Sequence, residues 1–288
     1  MNKKIIFFDA DGTIIKGSNM SPLTVEAFRK LKENGHILVL STGRAIPAID
    51  GILKEMNFGN MICSGGGTVL IGDKIVYSRP MSKESKKELL DYFDKHNVLY
   101  NLESNDYIYI KKGYKEKYLR LFQLPDKGAV TPEDYNKYKA ILEKVSSRTK
   151  EVENVMEIHI NKIHYYAADI LYDGKACPID YSDLERDLGE KYKCVPLSLS
   201  KLFSGGEVCE RGISKKVGME VILDYYKINK EDIYAIGDDY NDIEMLEYAT
   251  NSIAMGNAPK KVKDLCDYVT KDIDNDGFYY AMKYFGLI

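Results

Sequence analysis

Two aspartates stand two positions apart in Asp9-Ala10-Asp11-Gly12-Thr13, directly after the apolar run that ends at Phe8. Carboxylates at that spacing on a strand end can address one small volume, and Gly12 lets the backbone turn sharply beyond them. One carboxylate can attack an electrophile while its neighbour gives and takes protons, a division of labour that paired carboxylates permit. An Asp/Gly-rich turn without chemistry has the same composition, so the pair has to be weighed with three further polar clusters. Ser41-Thr42-Gly43-Arg44 offers a hydroxyl, open backbone N–H groups and a guanidinium, all of which bind phosphoryl oxygens. Lys215 follows Gly212-Ile213-Ser214 at a helix start, where its ammonium can act beside the helix N-terminus. Gly237-Asp238-Asp239-Tyr240-Asn241-Asp242 supplies carboxylates, the hard oxygen ligands that suit Mg²⁺. A helix cap at Thr42, a solvated Lys215 and an acidic turn at Asp238 are each ordinary. Their joint occurrence, in this order, is not.

These clusters need strand ends and helix starts to converge. Lys3 to Phe8 reads as a buried strand. Ser21-Pro22 supplies an N-cap and a first-turn proline to a helix whose apolar stripe is Leu23, Ala27, Phe28 and Leu31, closed by Gly35. His36 to Leu40 and Met61 to Cys63 are further strands, and Gly65-Gly66-Gly67 opens a hairpin through Tyr77. Near the C-terminus the alternation returns, with a helix over Lys215 to Tyr226 and a strand over Ile233 to Ile236. A helix over Ile243 to Tyr248, a strand over Ser252 to Met255 and a terminal helix over Gly277 to Phe285 follow. Short apolar strands alternating with helices predict an α/β fold with a doubly wound parallel sheet. The carboxyl ends of the strands line the ligand crevice in such a sheet.

The middle of the chain differs. Helices near 84–96, 132–146 and 180–191 mix with strands near 105–110, 155–160, 165–171 and 193–198, which predicts an α+β unit. Spacing says where it is inserted. Asp9 to Thr42 spans 33 positions, room for one helix and a returning strand, whereas Thr42 to Lys215 spans 173. The expected organisation is therefore a discontinuous catalytic core, 1–80 with 209–288, and an inserted domain over 81–208.

With all four clusters in this order, the chain resembles the haloacid dehalogenase (HAD) superfamily, and within it the Cof-type phosphatases with a type-2, subtype-B cap. Met255-Gly256-Asn257-Ala258 and Asp276-Gly277 also resemble Cof-type features. The resemblance implies a Rossmann-like core whose inserted α+β cap governs substrate choice. It also implies a Mg²⁺-dependent phosphatase acting on small phosphorylated metabolites, either sugar phosphates or cofactor and nucleotide phosphates. In that family pattern Asp9 is the nucleophile that becomes an aspartyl-phosphate, and Asp11 protonates the leaving oxygen and later activates water. Thr42 and Lys215 hold phosphoryl oxygens, helped by backbone N–H groups near Ala10 and Gly43 and by Asn241. Asp9, the backbone carbonyl of Asp11 and Asp238 bind Mg²⁺, with Asp239 and Asp242 behind them. Ser64-Gly65-Gly66-Gly67 stands where many relatives have an Asn-Gly pair, and Ala10 is smaller than the residue frequent there. Two other functions share the motifs: a phosphomutase, and a catalytically idle phospho-binding regulatory protein.

Composition excludes broad classes. The 288 residues include 41 Lys or Arg and 44 Asp or Glu, net −3, without the basic excess of a nucleic-acid binder. No apolar run approaches the roughly 20 residues needed to cross a bilayer. Five scattered cysteines without a CxxC pair point to a reducing cytoplasm. The expected partner is a small phosphate ester, with the chain a monomer or weak homodimer. Asp272 to Gly277 matches the first six positions of a calcium-binding EF-hand loop, but the twelfth, which needs Glu, is Lys283. It reads as a turn before the terminal helix. His159, His164 and the tyrosine pairs Tyr107/Tyr109 and Tyr165/Tyr166 read as packing residues, and Lys111 to Lys117 as a solvated face.

Overall fold

In the computed structural model, which describes residues 3–122, 130–198 and 204–288, the chain forms two units. One consists of Met1–Ala45, Ile49–Arg79 and Gly212–Ile288, the other of Ile46–Ala48 and Pro80–Arg211.

The first unit opens with β1 (Ile5–Phe8), every residue of it buried. Helix α1 (Pro22–Glu33) starts where Ser21 Oγ accepts from the Thr24 N–H at 3.1 Å, with Pro22 in the first turn. Its buried face is Thr24, Ala27, Phe28 and Leu31, with Thr24 in place of the expected Leu23. Gly35 ends it at φ +78°, and the His36 N–H reaches back to the Leu31 carbonyl at 3.1 Å. Then follow β2 (Ile37–Ser41), α2 (Ile52–Glu55), β3 (Asn60–Cys63), β4 (Thr68–Ile71) and β5 (Lys74–Ser78).

The second unit contains α3 (Lys83–Lys95), β6 (Leu99–Glu103), β7 (Ile108–Lys111), α4 (Lys115–Leu119), α5 (Pro132–Arg148) and β8 (Thr149–Val152). It continues with β9 (Lys162–Tyr166), α6 (Tyr181–Leu188), β10 (Tyr192–Ser198) and β11 (Ser204–Glu210). Its sheet runs β10-β11-β9-β6-β7-β8, antiparallel except for the parallel pair β7–β8. Leu89, Leu90 and Phe93 of α3 and Leu184 and Leu188 of α6 pack with Tyr100, Leu102, Ile163, Tyr165 and Val208. Tyr118 of α4 and Val145 of α5 pack with Leu99, Ile110 and Tyr166.

Here the elements depart from expectation. The strand expected near 105–110 begins only at Ile108, and the Asp106 carboxylate caps the Tyr107 N–H at 2.8 Å instead. Val155–Glu157 is a 3₁₀ turn, because the Asn154 side chain accepts from the Met156 N–H and competes with strand pairing. The strand expected over 165–171 keeps only Tyr165 and Tyr166, and a 3₁₀ turn covers Asp169–Tyr172. The Lys-rich stretch Lys111 to Lys117 runs into the first turn of α4, with Lys112, Gly113, Tyr114 and Glu116 exposed. Strand β6 escapes sequence reading because Asn101 and Glu103 turn inward.

The chain returns to the first unit with α7 (Lys215–Tyr226), β12 (Ile233–Gly237), α8 (Ile243–Tyr248), β13 (Asn251–Ala254), α9 (Lys260–Leu265), β14 (Tyr268–Val269) and α10 (Gly277–Tyr284). The eight-stranded sheet runs β14-β13-β12-β1-β2-β3-β4-β5, parallel from β14 to β3. One face buries Phe7, Val39, Ile62, Met219, Ile222 and Ala235. On the other, Phe8, Phe28, Phe58 and Phe278 form a cluster with ring centroids 4.6–5.9 Å apart. Tilted and edge-on pairs of this kind add about 0.5–1.5 kcal/mol each beyond area burial. The sheet progresses outward from β1 in both directions, through β2 on one side and β12 on the other. In such a sheet a ligand crevice forms at the carboxyl ends of those strands.

Candidate functional site

Parallel register brings the motifs together. Phe8 is level with both Ile236 and Leu40, so the residues after them leave the sheet at one edge. The Asp9 N–H still pairs with the Ile236 carbonyl at 3.0 Å, which fixes where its side chain starts. Asp9 is buried, and its carboxylate lies 2.5 Å from the Lys215 ammonium. Lys215, at the first turn of α7, is 1% exposed and also lies 2.5 Å from Asp242. Asp242 is fully buried, and its second oxygen accepts from the Asp238 and Asp239 N–H groups at 2.9 and 3.1 Å.

Gly12 shapes the next turn. It sits at φ +88°, and a Cβ there would lie 2.1 Å from Asp238 Oδ2. Only glycine permits that approach. The adjacent Thr13 hydroxyl donates to Asp238 Oδ1 at 2.8 Å, and the Ala10 carbonyl accepts from Ile14 and Ile15 at 3.0 Å. Asp11 points elsewhere: Arg44 grips it with two bonds, Nε at 2.8 Å and a terminal nitrogen at 2.6 Å. Thr42 is buried, and its hydroxyl accepts from the Arg44 N–H at 3.1 Å, bending the loop through Gly43. The glycine run is explained by Gly66 (φ +107°), where a Cβ would fall 1.9 Å from the Ser214 carbonyl.

Asp9, Asp238 and Asp242 each offer an oxygen within 4.8 Å of the others. Three carboxylates face one ammonium, and the electrostatics show the imbalance. Burial pushes Asp9 well above the usual carboxylate range, with Asp242 and Asp238 adding to it and Lys215 opposing it. Burial also lifts Asp238 to about 7, against the Thr13 hydrogen bond and with the help of Asp242 and Asp239. Lys215 is held above its ordinary value because its two carboxylates outweigh the cost of burial. A set made only of hard oxygens with surplus negative charge fits a divalent cation such as Mg²⁺.

The structure separates two aspartates that the spacing treated alike. Asp242 belongs to the buried focus, while Asp239 is exposed and caps the Tyr240 N–H at 2.7 Å. Asn241 keeps a buried side-chain oxygen without a hydrogen-bond partner. Asn257 falls in the Met255-Gly256-Asn257-Ala258 segment, whose contacts the sequence does not reveal. Its amide donates to the Gly12 carbonyl at 2.9 Å and to Asp238 Oδ2 at 3.2 Å, and its oxygen accepts from the Ile273 N–H at 3.0 Å. The Asp272 turn that mimics a calcium loop caps Asn275, with Asp274 paired to Lys16.

A model of the haloacid dehalogenase-like hydrolases matches residues 6–282. The chain belongs to that family. The HAD chain is 27% identical to the putative phosphatase YkrA of Bacillus subtilis, with all of both chains covered. It is 25% identical to the 5-amino-6-(5-phospho-D-ribitylamino)uracil phosphatase YitU of the same bacterium, over 98% of each. Its fold matches a solved subclass IIB sugar phosphatase of the superfamily with a TM-score of 0.75, 22% identity and 99% and 100% of the two chains covered. This HAD protein is a phosphatase enzyme, and phosphorylated small molecules are its class of substrate. No helix among its described residues is long and apolar enough to cross a membrane.

Proposed function

We propose that the protein is a Mg²⁺-dependent phosphatase that hydrolyses small polyol or sugar phosphates, or phosphorylated cofactor precursors, through an aspartyl-phosphate on Asp9. The observation that carries this reading is the buried Asp9–Lys215–Asp242 chain at the end of β1, joined by Asp238. An anionic carboxylate meets an anionic phosphate only where positive charge offsets both. When bound by Asp9, Asp238 and the backbone carbonyl of Asp11, Mg²⁺ supplies that charge and polarises phosphoryl oxygens.

The chain's own residues do the rest. Asp9 attacks phosphorus and the ester oxygen leaves, taking the proton that Asp11 delivers. Asp11 then draws a proton from water, which attacks the phosphorus of the acyl phosphate and restores Asp9. For the first step Asp11 has to leave the grip of Arg44, since a carboxylate held at both oxygens offers no proton. Lys215, Thr42, Asn241 and the N–H groups near Ala10 and Gly43 hold the phosphoryl oxygens. Asp242 sets the position of Lys215. The second unit acts as the substrate-selecting cap, and the enzyme works in the cytoplasm.

The test is release of phosphate from p-nitrophenyl phosphate with and without Mg²⁺. Chelation and Asp9→Asn should each abolish turnover, by at least about three orders of magnitude for the variant. Unchanged turnover in Asp9→Asn would sink the mechanism.

A further inference from the structure

The second unit contains a polar cluster that its fold does not require. Strands β6, β9 and β11 are neighbours, with Asn101 opposite His164, Glu103 opposite Lys162, and His164 opposite Glu207. All five side chains therefore share one face of the sheet. Lys162 is 2% exposed; it bonds Glu207 and lies 3.3 Å from Glu103 Oε2. His164 stacks on Tyr166 with ring centroids 4.3 Å apart, and its Nδ1 is 3.9 Å from Glu103. The amide nitrogen of Asn101 donates to the Tyr166 hydroxyl at 2.6 Å.

Sheet faces that only pack are normally apolar, and buried polar atoms normally find hydrogen bonds. This face does neither. Asn101 Oδ1 and His164 Nε2 are buried without a hydrogen-bond partner, and Asn101 is 1% exposed. Each such atom has given up its hydrogen bonds to water without replacement. Glu207 and His164 keep 18% and 16% of their side chains exposed, so the cluster is open at that end.

The missing groups define the ligand. Two carboxylates are already balanced by Lys162 and by the nearby Arg148 charge, so no excess charge calls for another cation. Glu103, His164 and Glu207 have the spacing of a metal site, but Lys162 already stands between the carboxylates. What the cluster lacks is uncharged hydrogen-bond donors. Neighbouring hydroxyls supply them, and each hydroxyl can also accept.

We propose that Asn101, Glu103, His164 and Glu207 form a ligand subsite of the second unit that takes the adjacent hydroxyls of a polyol or sugar chain. It rests on the phosphatase reading for its role, since that chain is then the alcohol part of the ester. Glu207 and His164 make contact at the open end, and Lys162 holds Glu207 in place.

Isothermal titration of the full-length protein with ribitol 5-phosphate, glucose 6-phosphate and inorganic phosphate tests this. The wild type should bind at least one of the two esters about tenfold or more tighter than phosphate. Glu207→Gln, nearly isosteric, and His164→Gln should each lose about tenfold of that preference and keep their affinity for phosphate. The proposal is overturned if neither ester is preferred, if folded variants retain the preference, or if Lys162 gives way to a bound divalent ion. A preference for the esters in a protein that fails to hydrolyse p-nitrophenyl phosphate overturns the phosphatase reading and supports the subsite.

Discussion

The ammonium of Lys215 stands 2.5 Å from the carboxylate of Asp9, a residue 206 positions earlier, and both are shut from water. A pair this deep is costly to break from one side, because the surviving charge keeps its burial and loses its partner. Lys215→Met leaves Asp9 and Asp242 facing each other. It is expected to destabilise the protein by roughly 3–5 kcal/mol in urea titrations and to remove phosphate release. The double variant Lys215→Met/Asp242→Asn should regain part of the stability and none of the activity.

Gly12 offers a second, purely steric test. An alanine there would place its Cβ 2.1 Å from Asp238 Oδ2 at φ +88°. Backbone strain alone costs about 1–3 kcal/mol, and Asp238 has to move. Gly12→Ala should lower the melting temperature and reduce turnover at least about tenfold, read against Gly17→Ala. Gly17 also has positive φ, but a Cβ there meets no atom within 4 Å.

Asn257 and Thr13 hold opposite oxygens of Asp238, at 3.2 and 2.8 Å. Groups that orient a metal-binding carboxylate in this way typically set metal affinity by 10–100-fold. Asn257→Ala and Thr13→Val are each expected to weaken Mg²⁺ binding about tenfold or more, measured by titration calorimetry. Thermal stability of Asn257→Ala should change little, because the residue is exposed. An unaltered Mg²⁺ isotherm in both variants removes the orienting role.

The second unit predicts a pH signature. Burial pushes His164 down from 6.5 to about 4, with Lys162 adding and Glu207 opposing. Its folded value is depressed, so its contribution is present above pH 6.5 and is lost as pH falls through 4. Burial pushes Glu103 up from 4.5 to about 7, aided by Glu207 and opposed by Lys162 and Arg148. Its folded value is raised, so its contribution is present below pH 4.5 and is lost as pH rises through 7. Between 4.5 and 6.5 the two slopes oppose and cancel. Relative to wild type, Glu103→Gln should gain stability with rising pH in that window, and His164→Gln should lose it. Each slope is about 1.4 kcal/mol per pH unit, read from urea midpoints. Equal slopes in both variants would falsify the assignment.

Much of the first unit was legible because its strands are apolar runs that stop at polar turns. Phe8, Leu40 and Ile236 end such runs, and parallel pairing then brings Asp9, Thr42 and Asp238 to one edge. The grip of Arg44 on Asp11 was not legible, since a guanidinium near a phosphate motif reads as a phosphate ligand. Nor was the contact of Asn257 with Gly12, which spans 245 positions and follows no local period. The second unit was read less well. Strand β6 carries Asn101 and Glu103 on a buried face, which erases the alternation on which strand reading depends. Asp242 was separable from Asp239 only once the 3₁₀ turn at Tyr240–Asp242 set which of them points inward.

The central position of β1 also bears on how the molecule is made. Its two sheet neighbours, β2 and β12, come from opposite ends of the chain. A ribosome adding about 5–20 residues per second reaches β12 roughly 10–45 seconds after β1 has been synthesised. Through that interval Ile5, Ile6, Phe7 and Phe8 have one unpaired edge, an apolar template open to other nascent chains. A circular permutant that begins near residue 209 would let β12 and β1 emerge close together, and should aggregate less during synthesis. The strand that carries Asp9 waits for a neighbour whose paired residue, Ile233, is made 228 positions after Ile5.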